Sequence, residues 1–93
     1  MIRFEWDPDK AASNLRKHGV SFLFASRVFD DPLHLSVQDR FENGETRWIT
    51  FGLVDGQWVL AVAHTVIDGE DEVIRIISAR RATQQERQRY EQR

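Results

Sequence analysis

The chain has 93 residues, 41% of them apolar and 30% charged, which suits one globular domain spanning residues 1–93 and is too little for two. With no cysteine, it cannot form disulfides, thiolate nucleophiles or cysteine-ligated zinc and iron–sulfur centres. No apolar run approaches the ~18–20 residues that span a bilayer, and a start carrying Glu5, Asp7 and Asp9 is unlike a signal peptide, so a soluble cytoplasmic protein without membrane contact is expected.

The net charge of −2 hides an uneven distribution. Residues 1–74 carry seven Lys/Arg against thirteen Asp/Glu, a net −6, whereas residues 75–93 carry six Arg against Glu86 and Glu91, a net +4. A basic segment beside an acidic body fits a phosphate-binding surface; a plain solvated helix is the competing reading.

In chain order, Ile2-Arg3-Phe4-Glu5-Trp6 alternates apolar and charged residues, the period of a short edge strand with one buried face. Asp7-Pro8 then begins a helix running to about His18, with Asp7 as N-cap and Ala11, Ala12 and Leu15 as its apolar stripe. Gly19 supplies the left-handed stop. Ser21 caps a second short helix, in which Phe22, Ala25, Val28 and Phe29 recur on one face until Asp30-Asp31-Pro32 ends it. Four strands follow at Leu33–Asp39, Thr46–Leu53, Trp58–Val66 and Val73–Ala79, separated by Asn43-Gly44, Asp55-Gly56 and Asp68-Gly69. Short turns between consecutive strands make an antiparallel meander. Finally Thr83 and Glu86 form a capping box at the head of a polar C-terminal helix, Gln84 to Gln92. The fold class is α+β: a short N-terminal strand, two helices, a four-stranded antiparallel meander and a C-terminal helix, with the helices packed on one face of the sheet.

Ile74 through Thr83 is the densest polar cluster. Arg80 and Arg81 are expected where the last strand becomes the helix, a place at which guanidiniums and helix N–H groups can hold a phosphate, though paired arginines are also common on surfaces. His18, His34 and His64 show no metal-ligand spacing, and no cofactor or metal is implied. His64 suits a general base at neutral pH or a hydrogen-bonded position on the sheet. Asp30-Asp31 and Glu70-Asp71-Glu72 sit at turns, where acids cap and solubilise. Tyr90 is almost the sole apolar anchor of the last helix, which a partner or RNA could order. No Gly-rich phosphate loop, GxSxG elbow or HExxH helix appears, so dinucleotide, kinase, serine-hydrolase and zincin readings lapse.

Several blocks together resemble one family: Phe4-Glu5-Trp6-Asp7-Pro8 with Lys10 and Asn14, Lys17-His18-Gly19-Val20-Ser21-Phe22, Val28-Phe29-Asp30-Asp31-Pro32, and Ile74 through Ala82 followed by Glu86-Arg87 and Tyr90. In that order they are similar to the BrnT toxins, the ribonuclease half of a bacterial type II toxin–antitoxin pair, over nearly the whole chain. The resemblance implies a RelE-like fold and an endoribonuclease that cleaves RNA and stops translation. It also implies a cognate ribbon-helix-helix antitoxin as partner, with operator DNA bound only through that antitoxin. Arg80 and Arg81 fall in the family's active-surface block, with Tyr90 and Glu86 in the matching helix; His64 joins them as a candidate catalytic residue. Arg75, Arg87 and Lys17 are the expected RNA contacts. One departure stands out: members usually carry an arginine just after the Thr of the fourth strand of the chain, where this sequence reads Thr65-Val66-Ile67. The alternative to an active toxin is therefore a catalytically weak or inactive toxin-like domain that binds antitoxin or RNA, and a third reading is an interaction domain unrelated to nucleic acid.

Overall fold

Asp7 and Gly19 bound the first helix as their chemistry dictates. In the computed structural model, which describes residues 2–92, the Asp7 carboxylate accepts from the N–H groups of Asp9 (2.8 Å) and Lys10 (3.4 Å) at the head of α1 (Pro8–His18). Gly19, at φ +70°, returns its N–H to the Leu15 carbonyl. The second helix is shorter than its apolar spacing suggests. It is α-helical over Phe22–Ala25 (α2) and tightens to a 3-10 turn over Ser26–Asp30, where Ser26 Oγ donates to the Leu23 carbonyl three residues back. Its buried face is nonetheless the expected one: Phe22, Ala25 and Val28.

Five strands form one sheet, β1 (Ile2–Glu5), β2 (Leu35–Glu42), β3 (Glu45–Val54), β4 (Trp58–Ile67) and β5 (Glu72–Arg81), in the order β1-β5-β4-β3-β2. β2 to β5 are the expected antiparallel meander, and β1 adds a fifth strand parallel to β5, with Phe4 opposite Ile74. β1 does not bury a face. Ile2 and Phe4 remain 45% and 36% exposed at the edge of the sheet, where Phe4 meets Phe29 of the 3-10 turn at 5.6 Å between ring centroids. β2 begins at Leu35 rather than Leu33, since Asp31 accepts from the backbone of Leu33 through its carboxylate and of His34 through its carbonyl, holding Pro32 to His34 in a turn. The hairpin after it closes through Asn43 (φ 54°) and Gly44 (φ 78°), a two-residue connection, whereas Asp55-Gly56 is followed by Gln57 before β4 resumes.

The expectation that all helices share one face is corrected by the structure. Ala11 of α1, Val20 of the link after it, and Phe22, Ala25 and Val28 of α2 and the 3-10 turn pack onto Leu60, Val62, Ile74, Ile76 and Ala79, which we term the helix face. α3 (Gln84–Glu91) lies on the other side, its Tyr90 packed against Phe51, Val59 and Ala61. The physical cause is in β4: Val59-Leu60-Ala61-Val62-Ala63 is apolar at every position, so both of its faces need cover. No helix among the described residues is long and apolar enough to cross a membrane.

Candidate nucleic-acid interface

Arg80 and Arg81 end β5 three positions before α3 begins, where the last strand gives way to the helix as expected, and as strand neighbours they point to opposite faces. Arg80 stands opposite Ala61 and Arg81 opposite Leu60. A bulge decides which goes where. Strict alternation from the buried Ile74 and Ile76 would put Arg80 on the helix face, but the register shifts where Ala63 pairs with Ser78 and His64 with Ile76, inserting Ile77 and reversing the alternation. Arg80 consequently shares the α3 face with Arg75.

On that face Arg80 lines a hollow of about 220 Å³ together with Arg40, Arg47, Asp39 and Ser78. The small side chains of Ala61, Ala63 and Ser78, at adjacent register positions, leave the space. A second bulge, between Gln38 and Arg40, sets Arg40 opposite Arg47 across the β2–β3 hairpin. Three guanidiniums from three strands thus meet at one concavity.

Each is braced by a carboxylate. Arg80 makes a two-pronged pair with Glu86, Nη1 to Oε1 at 2.7 Å and Nη2 to Oε2 at 3.0 Å, while the same Oε1 accepts from the Thr83 N–H to complete the capping box of α3. Hydrogen bonding to Arg80 holds the Glu86 carboxyl down at about 2 despite its partial burial, and Arg80 is held more firmly charged in return. Glu42 lies between the other two, 2.9 Å from Arg40 Nε and 3.7 Å from Arg47 Nη2. A guanidinium has five N–H donors, so each arginine keeps donors for a ligand, and phosphate oxygens are the acceptors that fit.

The other sequence-predicted residues are distributed as follows. Arg81 lies on the helix face, stacked 4.4 Å over the Trp58 ring beside the end of α1. His64 is also on the helix face, 3% exposed, with Nε2 2.7 Å from Thr50 Oγ1 and its ring edge-on to Phe29; burial lowers its pKa to about 4, so it is neutral at neutral pH. Tyr90 is buried, and its hydroxyl donates to Asp31. Burial raises the Asp31 carboxyl, but hydrogen bonds from Leu53, Tyr90 and Leu33 outweigh that and hold it below its ordinary value. Arg75 sits toward the opposite end of β5, 3.3 Å from Glu5 and 3.8 Å from Glu45. Arg87 is exposed on α3 within 3.9 Å of Glu91, and Lys17 is exposed on α1, across the sheet from the arginine hollow. Of the candidate catalytic residues, Arg80 alone lines that hollow.

Arg40 and Arg47 were not identified from the sequence. Their one local signal is that both flank the Asn43-Gly44 turn, whereas their meeting with Arg80 depends on strand register and two bulges. Ile67, the last residue of β4, is 44% exposed and lies two residues beyond Thr65 on the face of Arg75. Among the described residues no group of three or more His, Asp or Glu is placed to hold a metal ion.

This is a small α+β protein with an arginine-lined hollow on one face of a five-stranded sheet. A profile of the family described as "Ribonuclease toxin, BrnT, of type II toxin-antitoxin system" matches residues 6–86, and the chain belongs to that family. Among solved structures it is similar to the 1.1 Å crystal structure of the Brucella abortus ribonuclease toxin BrnT, with a TM-score of 0.70 and 22% identity, over 90% of this chain and 100% of that one. The fold is shared with it. No curated protein matches the chain.

Proposed function

We propose that the chain is a metal-independent endoribonuclease that cleaves RNA and so inhibits translation, and that a ribbon-helix-helix antitoxin neutralises it and carries it to operator DNA. The convergence of Arg40, Arg47 and Arg80 on one hollow supports this reading above any other observation. Cleavage by the neighbouring 2′-hydroxyl forms a bond from that oxygen to phosphorus and breaks the bond to the 5′-oxygen, through a pentacoordinate phosphate with extra negative charge. Guanidiniums fixed in place before reaction stabilise that charge without reorganising. Three of them approaching from different strands also hold the phosphate in one orientation, which favours the in-line arrangement of attacking and leaving oxygens. In this reading the Asp39 carboxylate, which lines the same hollow, accepts the 2′-hydroxyl proton, and the departing 5′-oxygen takes its proton from water. Arg81 and His64 lie across the sheet and Tyr90 is committed to Asp31, so the proposed chemistry does not run through them. Arg75 and Arg87 continue the basic track for flanking phosphates.

The test is induction of wild type, Arg80→Ala and Arg47→Ala in bacteria at equal soluble expression, with growth and RNA integrity followed together. Wild type is expected to arrest growth and degrade RNA, and each variant to cleave about 100-fold more slowly. The Thr65-Val66-Ile67 segment, without the arginine that the resemblance leads one to expect just after the Thr, favours the second reading, a weak or inactive toxin-like domain that binds antitoxin or RNA. A harmless wild type that leaves RNA intact would decide for it.

A further inference from the structure

The helix face of the sheet is covered over its centre and open at the other end. There Ile2, Phe29, Trp48, Val66 and Ile74 surround a hollow of about 330 Å³ floored by His64. It runs into a second hollow of about 520 Å³ that shares Trp48, Val66 and Glu72 and adds Asp68. Trp48 pairs with His64, whereas Ile49 of the arginine hollow pairs with Ala63, so by strand alternation the two sites occupy opposite faces.

The groove's chemistry differs from that of the arginine face in sign as well as polarity. Its walls are apolar and aromatic, and at its edge Ile2 and Phe4 stand 45% and 36% exposed. Glu72 and Asp68 form its rim and make no ion pair among the described residues. Its polar interior is mostly spoken for: Ser36 Oγ, Thr50 Oγ1 and His64 Nε2 are linked in series at 2.7 Å each, leaving the buried His64 Nδ1 without a partner. Unpaired carboxylates repel a phosphate backbone and attract lysine and arginine, so the occupant that fits is apolar on one side and cationic at its flanks. From Ile2 on β1 to Ser36 on β2 the groove crosses four inter-strand gaps, roughly 19 Å, or about 13 residues of α-helix.

We infer that this groove is where the cognate antitoxin docks, through a basic amphipathic helix laid across the strands. The inference rests on the toxin–antitoxin reading above. Apolar side chains of the helix fill the space around Trp48, Phe29 and Val66, and its flanking cations meet Glu72 and Asp68. Because the arginine hollow is on the other face, the groove supplies anchoring affinity and does not itself cover Arg80.

The experiment measures binding of the purified chain to its purified cognate antitoxin by calorimetry, with RNA cleavage assayed on the same preparations. The variants are Glu72→Lys with Asp68→Lys, Ile2→Glu, and Arg40→Ala with Arg47→Ala. All alter exposed or partly exposed positions, and circular dichroism reports folding. The expected result is a Kd raised about tenfold or more by each groove variant with RNA cleavage unchanged, and a Kd within about twofold of wild type for the arginine variant. Groove variants that keep wild-type affinity overturn the docking site. So does loss of RNA binding in the groove variants with antitoxin binding intact, which would make the groove an RNA subsite. If wild type cleaves RNA and only the groove result fails, the toxin reading survives alone; if wild type neither cleaves RNA nor binds antitoxin, both fall.

Discussion

The Glu86 carboxylate serves two structures at once, capping α3 through the Thr83 N–H and gripping Arg80 from two sides. Replacing it by Gln keeps an oxygen for the cap but removes the charge that orients the guanidinium. Glu86→Gln is therefore expected to lower RNA cleavage about tenfold while shifting thermal unfolding by only a few degrees, with single-turnover cleavage and a melting curve as the paired readouts. His64 gives a pH signature of its own. Burial depresses its pKa from the ordinary 6.5 to about 4, so the unfolded chain takes up the proton first and protonation favours unfolding. Its contribution is complete above about pH 6.5 and is lost as pH falls toward 4, a loss of roughly 3 kcal/mol across that window. His64→Gln is expected to flatten urea-unfolding stability over that range, whereas the Glu86 pair fails only lower, between about 4.5 and 2.

At the scale of elements, packing is fixed by a few close approaches. Asn14 of α1 is buried and spans to β5, donating to the carbonyls of Val20 (2.9 Å) and Ala79 (2.8 Å) and accepting from the Ala79 N–H (3.1 Å). It thereby ties the helix to the residue just before Arg80 and Arg81. Gly52 of β3 does the same for the 3-10 turn by having no side chain: a Cβ there would stand 2.7 Å from Val28 Cβ and 2.8 Å from the Val28 carbonyl oxygen. Neither atom can move without shifting backbone. Gly52→Ala is expected to destabilise the fold by roughly 2 kcal/mol or more, read as a lower urea midpoint at unchanged slope.

For the whole molecule, the distribution of charge between the faces matters more than the net −2. Arg40, Arg47, Arg75 and Arg80 share the α3 face, and Ile67 interrupts that surface near Arg75. Ile67 is exposed, so an arginine there costs little packing. Ile67→Arg is expected to strengthen binding of single-stranded RNA and to steepen the slope of log K against log salt by about 0.7, the contribution of one added phosphate contact. An unchanged slope would show that the position lies off the RNA path.

What the sequence by itself determined is local: Asp7-Pro8 and Gly19 bounding α1, the Thr83–Glu86 box, the Asn43-Gly44 turn, and a run of β-branched segments long enough for a meander. Each depends on residues within four or five positions, where backbone conformation and capping leave few choices. The ordered blocks from Phe4 to Tyr90 also carried the family, whose model matches residues 6–86. Tertiary structure alone decided that β1 joins the sheet in parallel, that α3 covers the second face, and that Arg80 parts from Arg81 to meet Arg40 and Arg47. Those outcomes turn on strand register and on bulges at Gln38/Arg40 and Ala63/His64, where one inserted residue exchanges the faces of every side chain beyond it. Such an insertion arises from packing between strands distant in sequence, and no local pattern encodes it.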